Sequence, residues 1–263
     1  MYFKEIFSIS VLIIFLAYVW WRLFFKQEEA IDKPFPKKWR SYLKKNVLFY
    51  KELSQSNQEK FEKRVLYFLS KVTIIGADTS VSSIDKLLVG TSAIIPIFGF
   101  ENWFYNNLNE VLLYKNTFNK DYETEGDNDR NYLGMVGSGA MNRVMILVKP
   151  ALHAGFKNNE SKSNVGIHEF VHLIDKSDGA TDGIPELFLS KPYVEPWVRL
   201  MHQEIDAIKK QESDINPYAA TQEAEFFSVV SEYFFSRPHL FEEKHPELYD
   251  LLNKIYHRDE YTA

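Results

Sequence analysis

The chain has 263 residues, of which 25% are charged and 16% aromatic, with a net charge of -5 and no cysteine. That length accommodates a membrane anchor followed by one medium-sized domain with a sizeable core. The missing thiols exclude disulfides and thiolate metal sites, and the acidic balance gives nucleic-acid binding no electrostatic support.

From Ile6 to Phe25 the chain is apolar apart from Ser8, Ser10 and Arg22, about the twenty residues a helix needs to cross the hydrocarbon core. Tyr18, Trp20, Trp21, Phe24 and Phe25 crowd the end where a signal peptidase requires small residues. Segment 1–26 therefore reads as one uncleaved transmembrane helix with an interfacial aromatic belt. Only Lys4 precedes it, whereas Lys26, Lys33, Lys37, Lys38, Arg40, Lys44 and Lys45 follow. The positive-inside rule then makes this a single-pass membrane protein with residues 27–263 on the cytoplasmic side.

The next part, about 37–108, reads as helical. Ser56-x-x-Glu59 predicts a capping box that opens a helix with Phe61, Val65, Phe68 and Val72 on one stripe. A second helix is predicted over 82–94. Beyond it, in a metal-binding part about 109–258, the period changes, and short strands are predicted at 111–114, 135–140 and 144–148. Residues 121–131 are acidic and polar, which predicts a solvent loop. Val144 to Val148 comes shortly before the motif described next, so it is a candidate for the strand that borders a cleft and pairs with extended substrate; an interior strand fits the same residues. Later helices are predicted to begin at the first-turn prolines Pro196 and Pro246.

His168-Glu169-Phe170-Val171-His172 is an HExxH motif. Four residues span slightly more than one helical turn, so both imidazoles project from one face while Glu169 lies beside them. Ile167, Phe170, Val171, Leu173 and Ile174 make the segment apolar, so the three polar side chains are costly to bury unless something satisfies them, and a zinc ion does so. Two positions can supply a third ligand. One zincin layout places it at Asp178, but there Asp175 occupies the position where that layout turns the chain with glycine. The other takes a glutamate from a later helix, and the apolar segment Glu223 to Phe235 carries Glu225 and Glu232 seven residues apart on one face. Asp175, on the metal-facing side, is placed either to accept the free ring N–H of a ligand histidine or to make a helix-end contact.

The run from His168 to Asp175, Asp182-Gly183-Ile184-Pro185, Asn216-Pro217-Tyr218, Ala224-Glu225-Phe226-Phe227 and Ser231-Glu232-Tyr233-Phe234-Phe235 together resemble the Mlc titration factor A family of zinc-dependent peptidases. That family's metal-binding domain is in turn similar to the catalytic domain of anthrax lethal factor. The resemblance covers about residues 35 to 255 and implies an α+β, helix-rich, zincin-like metallopeptidase domain with a small sheet. It implies that His168, His172 and Glu225 bind one Zn2+ per chain, that Glu169 is the general base that activates a zinc-bound water, and that Tyr218 is an active-site phenol. Glu232 then belongs to the surroundings of the metal rather than to its ligands. The implied activity is peptide-bond hydrolysis, aminopeptidase-like on short peptides, with a peptide or protein substrate. Glu186 and Glu223 are candidates for holding the substrate amine. The other reading is a binding protein that sequesters a transcriptional repressor at the membrane, with the zinc structural or modulatory.

Overall fold

Successive amphipathic helices build the first half of the domain in the computed structural model, which describes residues 34–118, 132–137, 142–157 and 160–261. The anchor expected over 1–26 and the acidic loop expected over 121–131 lie outside the described residues. Among the described residues no helix is long and apolar enough to cross a membrane. Residues 35–263 make one compact unit.

Helices α1 (Lys37–Asn46) and α2 (Leu48–Glu52) lead into α3 (Gln55–Lys71). The cap of α3 lies two residues earlier than the sequence suggests: Ser54, not Ser56, accepts the Asn57 N–H at 3.3 Å. Phe61, Val65 and Phe68 form the expected buried stripe. Strand β1 (Thr73–Ala77), absent from the sequence reading, follows at once. Helix α4 (Ser83–Ile97) opens with a complete capping box in which Ser82 and Asp85 satisfy each other's backbone N–H. Leu87 to Ile97 are buried on every side, which makes α4 the central helix.

Strands β2 (Glu110–Tyr114), β3 (Gly134–Val136) and β4 (Val144–Val148) complete a four-stranded sheet in the order β1-β2-β4-β3. The first three in that order are parallel, and β3 runs antiparallel at the edge. Strand β4 is therefore interior, and the cleft-bordering role does not belong to 144–148. Met145 to Val148 are all buried because β4 is covered on both faces, Met145 and Leu147 by the main core and Ile146 and Val148 by a smaller cluster with Phe118, which explains an unbroken apolar run in place of alternation.

The chain continues through α5 (Lys149–Lys157), α6 (Val165–Asp175), α7 (Val194–Lys209), α8 (Glu223–Ser236), α9 (Pro238–Lys244) and α10 (Pro246–Tyr256). Pro246 opens its helix as expected, whereas α7 starts at Val194, two residues before Pro196. Helices α4 and α8 both pack on α6, and the main core is strongly aromatic: Phe68, Phe170 and Tyr105 meet edge to face or tilted, and Trp197 lies against Phe226 and Phe227. The result is a helix-rich α+β domain that clamps α6 from both sides.

Candidate metal centre

Helix α6 starts where Asn164 Oδ1 accepts the Ile167 N–H at 3.2 Å. In its first turn Gly166 lets α4 approach closely, since a Cβ there would lie 2.1 Å from Ser92 Oγ. With its apolar positions sunk between α4 and α8, the helix carries His168 and Glu169 inward, at 8% and 5% exposure.

Three side chains converge from two helices. His168 Nε2 and His172 Nε2 lie 3.1 Å apart, and Glu225 Oε2, from the first turn of α8, lies 3.0 Å from the former and 3.4 Å from the latter. All three ligand atoms fall within 4.8 Å of one another. Four ligands at zinc bond lengths occupy a tetrahedron with edges of about 3.3 Å, so these separations match three of its corners. A proton shared between two facing imidazole nitrogens satisfies one pair; a cation satisfies all three lone pairs together. The donor set of two imidazoles and a carboxylate suits zinc.

The far side of each imidazole is also held. Glu232, one α8 heptad beyond Glu225, meets His168 Nδ1 at 2.7 Å and accepts the Asn164 backbone N–H with its other oxygen. Ser228 Oγ meets His172 Nδ1 at 3.2 Å. Each histidine thus presents Nε2 to the centre because Nδ1 is already engaged. Ser228 was not singled out in the sequence, although its place three residues after Glu225 puts it on the same helical face.

The electrostatics favour positive charge here. Burial opposes charge on His168, but Glu232, Glu225 and Glu169 outweigh it and raise the imidazole well above its ordinary value. Burial alone would lift Glu225, yet hydrogen bonds from His168 and His172 hold it well below the usual carboxylate range. Glu169 makes no such pair, and its burial pushes the carboxyl up. Its side chain lies directly beneath β3: a Cβ on Gly134 would sit 2.5 Å from Glu169 Oε1. Nothing in the sequence near Gly134 signals this, because the contact exists only once β3 pairs with β4 above α6.

Tyr218 belongs to a short 3-10 turn, Pro217–Ala220, set by Asn216 Oδ1 accepting the Tyr218 N–H at 3.0 Å. Its ring lies 6.0 Å from that of His168 and is 47% exposed, so it stands at the open side of the centre. Partial burial and then the Glu225 carboxylate raise its phenol.

The remaining candidates lie elsewhere. Asp178 accepts the Ala180 and Glu186 backbone N–H groups at 3.0 and 3.2 Å, so it closes a turn and takes no part in the cluster. Asp175 holds no histidine: both its oxygens accept the Gly183 N–H, at 3.1 and 3.0 Å, and burial lifts it to about 6. Gly183, at φ +76, in turn offers its carbonyl to Trp197 Nε1 at 2.8 Å. Glu223 pairs with His202 at the surface and Glu186 is exposed, so neither is built into the centre.

Comparison with known proteins points to a metallopeptidase family. A family profile described as glucose-regulated metallo-peptidase M90 matches residues 21–257. The chain is 26% identical over 262 residues to an uncharacterised protein of Synechocystis, covering 94% of each. It is 30% identical over 181 residues to the Mlc titration factor A of Pectobacterium atrosepticum, covering 63% of this chain and 65% of that one. Against the Mlc titration factor A of Escherichia coli it is 28% identical over 247 residues and 89% of both.

Proposed function

The chain belongs to the glucose-regulated metallo-peptidase M90 family, and from that membership we propose that it is a zinc-dependent peptidase in which His168, His172 and Glu225 hold one zinc ion and Glu169 is the general base. The observation that carries this reading is the convergence of three ligand atoms at tetrahedral spacing beside a buried carboxyl that pairs with none of them. A zinc ion held there supplies Lewis acidity.

Glu169, kept basic enough by burial and close to the centre, takes a proton from the attacking water and returns it to the departing amine. Tyr218, its phenol protonated, donates a hydrogen bond to the carbonyl oxygen as negative charge develops. Strand β3 provides the rail for substrate. Gly137 N bonds Val144 O and Val148 N bonds Leu133 O, so residues 133, 135 and 137 face β4. The N–H and C=O of Gly134 and Val136 therefore point away from β4, to an edge that no strand among the described residues covers, where an extended peptide can pair with them. Because Gly134 lies against Glu169, a peptide seated there passes the general base. The family resemblance supports aminopeptidase-type action on short peptides.

A second reading draws on the name Mlc titration factor A borne by several relatives: capture of a transcriptional repressor, with the zinc modulatory. The apolar segment 1–26 supports a tether that holds either activity on the cytoplasmic side of a membrane. Release of the full chain from membranes by alkaline carbonate would contradict that tether.

Glu169→Gln separates the two activities. Peptide hydrolysis is expected to fall by at least about a hundredfold with zinc still bound, and hydrolysis at the unaltered rate would contradict the mechanism. Repressor capture by this variant would support the binding role.

A further inference from the structure

Resting on the peptidase reading, we infer that a cationic cleft beside the outer end of β3 binds a carboxylate of the peptide substrate and so selects acidic or carboxyl-terminated peptides. The cleft encloses about 120 Å³. That is below the range for a whole drug-sized ligand but suits a single side chain or chain end. Trp103, Leu173, Val136 and Gly137 are among the residues that line it, together with Arg143 and Lys176, both exposed. Among the described residues no carboxylate lines it. Among the described residues neither cation has an acidic partner, in a chain whose net charge is -5.

Position ties this cleft to the reaction. Gly134 marks the place of Glu169 on β3, and at about 3.3 Å per residue Gly137 lies about 10 Å further along the same edge. An extended peptide paired to Gly134 and Val136 therefore brings the side chain or terminus two to three residues from the scissile bond over the cleft. Both cations are fixed at their backbones. Arg143 takes a left-handed conformation, φ 71, in the turn before β4, where its carbonyl accepts the Asn109 and Glu110 N–H groups. Lys176 caps the last turn of α6, which bears the two histidines. A guanidinium and an ammonium on such supports form charge-assisted hydrogen bonds with a carboxylate while the apolar lining side chains take its methylene stem.

The test uses the zinc-loaded full chain and a fixed peptide in four forms: free C-terminal acid, C-terminal amide, and the amide with aspartate or asparagine two or three residues from the scissile bond. Cleavage and equilibrium binding are both measured for wild type and for Arg143→Gln/Lys176→Gln. A carboxylated form is expected to show a KM and Kd about tenfold lower than its neutral counterpart, with kcat unchanged, and the double variant is expected to lose that preference. Preference for the free acid identifies the chain end as the group held; preference for aspartate identifies a side chain. Equal KM and Kd for charged and neutral forms, or a preference that survives in the double variant, overturns the inference while leaving the peptidase reading intact. Tighter binding of carboxylated forms without cleavage of any peptide supports the cleft and instead removes the peptidase reading.

Discussion

Glu169 is confined from above by a backbone that has no side chain. An alanine at 134 would place its Cβ 2.5 Å from Oε1 and 2.6 Å from Cγ of Glu169, so the carboxyl must move away from where it takes the proton of the attacking water. Gly134→Ala is expected to lower kcat by about ten- to a hundredfold, because displacement of about 1 Å at the base costs that much. Zinc content should stay at the wild-type level, since none of the three converging ligands is touched. Unchanged kcat would show that Glu169 has room to spare. At this scale the sequence was informative about residues whose chemistry is rare: two histidines four apart, and a glutamate in an apolar helix, announce themselves. It was silent about Gly134, whose role comes from the pairing of β3, and left Asp175 between a ligand histidine and a helix-end contact. The structure takes the second: both its oxygens accept the Gly183 backbone N–H. Glu232, equally placed by spacing, takes the His168 ring.

Helix α6 holds its place because two small groups face each other across its crossing with α4. A methyl on Gly166 would meet Ser92 Oγ at 2.1 Å and Ser92 Cβ at 2.8 Å, and both lie in a fully buried environment that cannot relax freely. Gly166→Ala is expected to cost about 1–3 kcal/mol, a fall in Tm of at least about 2 °C, despite the better helix propensity of alanine. A melting temperature at or above wild type would mean that the two helices are not in tight contact. Helices α3 and α7 were legible from a capping signal with an apolar stripe and from a first-turn proline, each start misplaced by two residues. Strand β1 was not, because five residues with Gly76 among them and no clean alternation of burial carry little pattern. The interior place of β4 depends on partners distant in sequence.

Across the whole molecule, the acidic side of stability is tied to Asp85, which joins the start of α4 to α5. Burial by itself would raise this carboxyl, but Lys149 at 2.8 Å, His153 at 2.6 Å and Ser82 outweigh it and hold it at about 2. A folded value below the unfolded one means that the contribution is present above about pH 4 and is lost as pH falls towards 2, and its size is roughly 2 kcal/mol. In metal-free protein the stability gap between wild type and Asp85→Asn should therefore be open at pH 6 and narrow progressively below pH 4. A gap independent of pH would show that Asp85 acts by shape alone. The same whole-molecule view explains the architecture of the centre: a sheet edge, a central apolar helix and a glutamate-bearing helix, remote in sequence, all close on α6.

Metal stoichiometry of the purified full chain tests the central claim most directly, with wild type compared with Glu225→Ala and Asp178→Ala. About one zinc per chain is expected in wild type and in Asp178→Ala, with loss in Glu225→Ala. Zinc retained without Glu225, or lost without Asp178, would contradict the three-ligand centre on which the peptidase reading stands.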